Sequence, residues 1–305
     1  MTHPKQFEIL DRCPVCSSSA ISSFRRGTFD YLSIQADQIK ITDKDYGKIW
    51  DLWRCAACTY IFANPAPTAS FIHSLYRDVE DPAYEDEAEG RRQNFLPILD
   101  VLERFHPHKG RLFDVGAATG ILLHSARSRG WSVDGIETGL WSVRRGREKY
   151  GLDIRAGDFI SADLGSRLFT AVTMIDFIEH IPTPLQAAEK ARRILSPTGT
   201  LCLVTPDAGS LAARMMKTRW WHLRPGHLGY FNRKSIVTLL NKAGFTIARV
   251  RRYAWTFSAH YLLTRIPFLA PLAEMPGLSS FWKSLRIKLG LRDSFEIYAR
   301  KAARR

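Results

Sequence analysis

Asp114 and Glu137 are two carboxylates separated by a turn of small residues and a helical pattern. Arg111 to Val115 reads as an apolar strand. It runs into Gly-Ala-Ala-Thr-Gly, and a helical pattern begins at Ile121. Gly116, Ala118 and Gly120 carry no bulk, so the backbone there can approach a ligand closely. Asp114 stands just before the turn, and Glu137 follows the next strand-like run, Trp131 to Ile136. A carboxylate in that place suits the two hydroxyls of a ribose. Together these residues predict a nucleoside-containing cofactor at the carboxyl end of a parallel sheet.

Four of the five cysteines form two C-x-x-C pairs, Cys13 with Cys16 and Cys55 with Cys58. Two such knuckles can supply four thiolates to one tetrahedral zinc, and Pro14 and Ser17 to Ser19 suit the turns a knuckle needs. A dithiol redox site is the rival, but neither pair sits in a strand-helix pattern, which favours the metal. With all four positions filled by protein, such a zinc would hold structure and do no chemistry. Cys202, inside the strand-like run Thr200 to Thr205, reads as a small buried hydrophobe.

The turn is G-x-A-x-G, not the G-x-G-x-x-G of a dinucleotide site. It resembles motif I of the class I S-adenosylmethionine-dependent methyltransferases, and further segments follow in that family's order. Glu137 sits at the place of the ribose-binding acid. Gly157-Asp158-Phe159, after the run Asp153 to Ala156, resembles the adenine-binding turn, with Asp158 toward the exocyclic amine and Phe159 near the ring. Phe169 to Ile181 resembles the fourth strand and its active-site end, where Asp176 is a further cofactor-side residue. Ala191 to Asp207 resembles a helix, a turn and the fifth strand. The alternative is an ordinary doubly wound domain whose glycines only serve turns. The resemblance implies a Rossmann-like, doubly wound seven-stranded sheet with its last strand antiparallel, S-adenosylmethionine as cofactor, and methyl transfer as the reaction.

Methyl transfer to a hydroxyl or carbon acid also needs a base, and histidine suits that task near neutral pH. His180 follows Asp176 and Glu179 at the end of the fourth strand. His227 lies in an aromatic loop, Trp220 to Phe231. Both are catalytic candidates, and either can instead be a packed structural histidine. The D/N-P-P-Y tetrapeptide of methyltransferases that act on nucleobase amines is absent after the fourth strand.

These residues need elements to position them. Residues 1–65 read as a small zinc-ribbon-like module that leaves through Asn64-Pro65-Ala66-Pro67. Residues 66–305 read as the methyltransferase domain. Thr68 to Tyr76 suits a short helix, Asp78 to Glu89 a mobile acidic loop, and Gln93 to Phe105 a helix with Pro97 near its start. Asn232 caps a helix closed by Gly244. Between strands at Phe245–Tyr253 and Ser294–Arg300 lies an insertion, about 255–291, whose Pro267, Pro271 and Pro276 keep any helix short. Phe281, Trp282, Leu285 and Leu289 fall at helical spacing there. The insertion is either a cap over the site or a surface that meets an anionic membrane.

Hydrophobic content of 45% and charged content of 24% fit a globular chain. The net charge of +14 is concentrated: from Leu211 onward there are 19 Lys and Arg against 3 acids. That asymmetry suits an anionic partner, such as a nucleotide-linked sugar, a lipid phosphate, a membrane surface or RNA. No apolar run reaches a membrane span, and Met1 to Arg12 lacks the pattern of a leader, so a cytoplasmic protein is expected. Between the cysteine pairs, basic and acidic residues balance, which disfavours a nucleic-acid surface. From Cys13 to Lys301 the chain resembles a bacterial subgroup of class I methyltransferases with an N-terminal zinc module, often serving sugar or polysaccharide pathways. The resemblance implies a small anionic acceptor, a nucleotide-linked or lipid-linked sugar. An RNA methyltransferase and a non-catalytic zinc-ribbon binding protein are the alternatives.

Overall fold

Seven strands hydrogen-bond into one sheet in this computed structural model, which describes residues 6–275 and 277–303. Pro276 and part of the stretch read for a leader lie outside the described residues. The strands are β1 (Arg111–Val115), β2 (Ser132–Glu137), β3 (Arg155–Ala156), β4 (Phe169–Ile175), β5 (Leu195–Pro206), β6 (Phe245–Arg252) and β7 (Ser294–Lys301). Their order is β6-β7-β5-β4-β1-β2-β3. β7 runs antiparallel to both its neighbours, and the pairs β5–β4, β4–β1, β1–β2 and β2–β3 are parallel. This is the Rossmann-like arrangement expected from sequence, with the last strand reversed.

Strand alternation feeds two apolar layers. Phe113, Val115, Val172, Met174, Leu201 and Leu203 point to one face. Leu112, Ala171, Cys202 and Val204 point to the other. Two helices cover the first face, Pro184–Ile194 and Arg233–Lys242. The second is covered by α1 (Ala88–Phe105), α2 (Ile121–Ser128) and α3 (Leu140–Tyr150). A strand buried on both faces cannot be amphipathic, which is why β5 is buried at every position from Gly199 to Pro206. Cys202 is fully buried, the packed hydrophobe its position suggested.

The N-terminal residues build a four-stranded sheet from Ile21–Arg25, Leu52–Cys55 and Ile61–Ala63, completed at its edge by Gly229–Tyr230 from the aromatic loop. Gly229 pairs with Phe62 and Tyr230 with Ile61. Phe231 extends the contact, its ring centroid 4.6 Å from that of Tyr60. Asn232 caps the following helix and donates 3.0 Å to the Thr59 carbonyl beside the second cysteine knuckle.

Three local expectations are corrected. Asp78 to Glu89 is not a loop: Pro82–Asp86 is helical and α1 begins at Ala88. Its acids are held from far away in sequence. Asp81 accepts from Thr42, Glu85 from Thr119 and Lys149, and Glu87 from Ser258. Burial of Asp81 and Glu87 to 5% exposure, with these donors, is what orders the segment. Pro97 consequently falls inside α1, not near its start. In the insertion the helical spacing from Phe281 to Leu289 is broken: Ser279–Ser284 is a helix, but Arg286–Leu289 is a strand paired with Trp255–Ser258. A ladder partner decides the matter where the apolar spacing alone would favour a helix. No helix among the described residues is long and apolar enough to cross a membrane.

A crevice at the carboxyl ends of the first and fourth strands

From β1 the chain winds to one side through β2 and β3, then returns to start β4 on the other. In an open parallel sheet that reversal leaves a crevice outside the strand ends. The small-residue turn forms one wall. Gly116 and Gly120 have φ of 71° and 82°, which glycine adopts freely, and Ala118 holds a left-handed φ of 47° that costs an alanine about 1 kcal/mol. Gly116 faces Phe177 across the crevice, where an added Cβ would stand 2.9 Å from the ring. The turn is therefore pressed against the segment after β4.

Glu137 ends β2 at the rim. One oxygen accepts from the Ala118 N–H at 2.8 Å and the other from the Gly139 N–H at 2.7 Å. A carboxylate oxygen has two lone pairs, so each keeps one for a ribose hydroxyl. Gly157 donates 2.9 Å to the Glu137 carbonyl, and a Cβ added at Gly157 would meet nothing within 4 Å, which leaves room beside it. Asp158 caps its own turn through the Ser161 N–H, and Phe159 packs between Phe113 and Phe177 with Lys190 over its ring. Asp114 lies beneath the turn, 4% exposed, accepting from Thr173 at 2.6 Å. Burial pushes its carboxyl up to about 7. These residues fit an adenosyl group: a carboxylate with spare lone pairs, a glycine turn and an open bend at Gly157.

The second wall begins at Asp176, another non-glycine residue in the left-handed region, with φ 48°, whose N–H is tied to the Val204 carbonyl. Such strain in a well-determined place marks a constrained site. Glu179 accepts from Thr205 at 2.9 Å through one oxygen. Its other oxygen and Asp176 Oδ1 are buried with no donor among the described residues. Burial raises both groups, Asp176 to about 7, and each carboxyl affects the other. Raised together, the two carboxyls can share a proton near neutral pH: the protonated member can give it and the ionised member can take one.

His180 and His227 meet at this wall, ring centroids 4.6 Å apart and nearly perpendicular. The 2.8 Å bond from the Leu228 N–H to the Glu179 carbonyl sets the loop against the strand end. His180 Nδ1 lies 2.7 Å from the Gly226 carbonyl and 2.8 Å from the Tyr76 hydroxyl. His227 is 4% exposed, and its Nδ1 has no partner among the described residues. Burial lowers both imidazoles, His180 to about 3, so both are neutral near pH 7. Behind them His222 stands 3.3 Å from Asp293. Sequence reasoning missed Tyr76, 104 residues from His180, because only the fold joins them. It also missed Thr205, whose sole signal was a polar residue in an apolar strand.

Cys13, Cys16, Cys55 and Cys58 converge with all four sulfurs within 4.8 Å of one another. Cys13–Cys58 and Cys16–Cys55 are both 3.5 Å, and no disulfide forms. A tetrahedral zinc with about 2.3 Å bonds requires sulfurs about 3.8 Å apart, so the donor set fits that ion.

A family model described as a methyltransferase domain matches residues 88–250, more than half of the chain. The ubiquinone biosynthesis O-methyltransferase of Pseudomonas aeruginosa is 25% identical over 185 residues, covering 51% of this chain and 80% of that protein. Its counterpart in Pseudomonas syringae is 26% identical over 129 residues, covering 38% and 56%. Among solved structures, an amino pentose methyltransferase from Micromonospora echinaspora is 20% identical with a TM-score of 0.44, covering 58% of this chain and 94% of that one. Magnesium protoporphyrin IX methyltransferase from Synechocystis is 17% identical with a TM-score of 0.49, covering 77% and 95%.

Proposed function

The chain belongs to the methyltransferase-domain family and is an S-adenosylmethionine-dependent class I methyltransferase; from that premise we propose that it methylates a hydroxyl of a small, anionic, sugar-like acceptor carried on a lipid. The observation that carries the acceptor class is the insertion. Among the described residues, nine of the nineteen exposed large hydrophobics, from Ile266 to Leu291, lie in it, with Phe268 at 79% and Phe281 at 54% exposure. Arg265, Lys283, Arg286 and Lys288 accompany them against the single acid Glu274. Exposed apolar residues among cations suit an anionic lipid interface, whereas a nucleotide-linked sugar would need the cations alone. The root of the insertion is fixed to α1: Asn94 accepts from the Thr256 N–H and Glu87 from the Ser258 N–H.

When bound, S-adenosylmethionine supplies a methyl group on a positive sulfur. Glu137 holds the ribose hydroxyls, Gly116 to Gly120 keep the backbone low beneath the cofactor, and Asp158 and Phe159 border the base. Phe177 closes the crevice against Gly116 and helps exclude water. Asp176, with proton affinity near neutrality and Glu179 behind it, takes the proton from the acceptor hydroxyl. His180 and His227 face the same oxygen as neutral groups. Alignment of acceptor, methyl and sulfur is worth about 7–11 kcal/mol in reactions of this type. The four cysteines hold a structural zinc, and reduced thiolates of this kind suit a cytoplasmic location.

Two measurements test this reading. The chain incubated with methyl-labelled cofactor and a fractionated bacterial extract should label the lipid fraction, and label confined to water-soluble nucleotides or to RNA overturns the acceptor class. The chain should co-sediment with vesicles containing phosphatidylglycerol, less so after Phe268→Ala with Phe281→Ala. Equal recovery with and without vesicles removes the support from the insertion.

A further inference from the structure

We propose that Glu179, His180 and His227 bind a divalent transition-metal ion at the acceptor side of the crevice, separate from the four-cysteine cluster. The inference rests on the function proposed above for its place in the reaction, but its donors stand on their own. One ligand atom from each of the three residues lies within 4.8 Å of the others. Glu179 and His180 are already oriented by a partner on the far side. Glu179 accepts from Thr205 at 2.9 Å, which leaves Oε1 buried with no donor among the described residues. The Gly226 carbonyl, 2.7 Å away, engages His180 Nδ1 and leaves Nε2 as its available donor atom. His227 Nδ1 is buried with no partner among the described residues. An imidazole fixed by a carbonyl on one nitrogen, and a carboxylate fixed by a hydroxyl on one oxygen, are how proteins prepare metal ligands.

Two imidazoles and one carboxylate suit zinc, iron(II), cobalt(II) or manganese(II), in place of the oxygen-only sites of magnesium and calcium. Three protein ligands leave positions open. In this proposal they face the crevice on the side of His180, which is half-buried while Glu179 and His227 are buried. The open positions would take oxygen donors of the acceptor, such as neighbouring hydroxyls or a hydroxyl beside a carboxylate. Coordination would orient them and make the hydroxyl more acidic. Asp176, adjacent to Glu179 but outside the triad, remains to receive the proton.

Cobalt(II) is the probe, because its spectrum distinguishes sulfur from nitrogen and oxygen ligands. The full-length chain, with zinc in the cysteine cluster, should take up one further cobalt per chain. That cobalt should show visible ligand-field bands without the near-ultraviolet thiolate charge-transfer absorption. His227→Ala and Glu179→Gln should each abolish the extra equivalent. Thr205→Val should weaken it about 10–100-fold, as loss of an orienting partner does at other metal sites. Calorimetry with S-adenosylhomocysteine keeps folding in view, and affinity within about twofold of the parent is expected for groups that do not touch the cofactor. Failure to take up a second metal overturns the site. So does cobalt that persists in both ligand variants, or a thiolate spectrum. If the parent fails to bind S-adenosylhomocysteine, the cofactor reading fails, while the cobalt spectrum still decides the metal.

Discussion

Replacing Glu137 by alanine removes the one carboxylate whose two oxygens are both held at the rim of the crevice. In the ligand-bound state each oxygen would accept a ribose hydroxyl while keeping its backbone bond. A hydrogen bond to a charged acceptor contributes about 1.5–3 kcal/mol, and water competes for both partners. A net loss of about 3 kcal/mol for the pair corresponds to roughly 100-fold weaker binding. The substitution also strips acceptors from the Ala118 and Gly139 N–H groups, which costs about 1–3 kcal/mol each if they find no water. Relief of the burial that raises this carboxyl offsets part of that. Titration calorimetry with S-adenosylhomocysteine separates the two effects when urea unfolding is followed on the same protein. Glu137→Gln is the control for folding: it keeps one acceptor oxygen but sets an amide N–H₂ against a backbone N–H. A dissociation constant within about threefold of the parent, in a variant with an unchanged unfolding midpoint, would refute the ribose assignment.

Asp114 makes a prediction in pH. Its folded proton affinity is raised from 3.8 to about 7, so between those values folding takes up a proton. The carboxyl therefore favours the folded state at acid pH and costs stability as pH rises through 7. Between pH 4 and pH 8, Asp114→Asn should gain up to about 4 kcal/mol on the parent in urea unfolding, and parallel curves would contradict this. Cys55→Ser should lower bound zinc from one per chain to well below it by elemental analysis, and retention of a full equivalent would remove the metal. Gly229→Ala places a Cβ 1.8 Å from the Tyr60 hydroxyl oxygen and 2.7 Å from its ring carbon. Overpacking of this kind costs about 1–3 kcal/mol, seen as a fall of roughly 5 °C in the melting temperature. Tyr60→Phe in the same chain should recover part of it.

The features legible in the sequence are those whose chemistry is local. The glycine turn and Glu137 each announce themselves within a few residues, and so do the C-x-x-C pairs. Strand ends are legible because apolar runs stop at Asp, Glu or Gly. What escaped depends on partners far along the chain. Asp78 to Glu89 has the composition of a solvated loop, yet Thr42 and Ser258 supply the donors that bury its acids. Arg286–Leu289 has helical spacing, yet Trp255–Ser258 offers it a ladder. His180 could be picked out by its place after β4, but not its meeting with Tyr76 and His227, which needs the sheet to exist first. Ala118 is the reverse case. Its departure from glycine was visible at once, but only the backbone shows that the position is left-handed and that alanine bears strain there.

Gly229 and Tyr230 hydrogen-bond to Phe62 and Ile61 in the same loop that carries His227. Edge strands tolerate substitution but not a change of length, because one inserted residue turns every side chain over. Acceptor preference in this lineage is thus expected to drift by single replacements around residues 222–228, or to change abruptly when the first 65 residues and this loop are exchanged as one cassette. Chimeras that swap either piece alone should be poorly soluble, and those that swap both should carry the donor's selectivity.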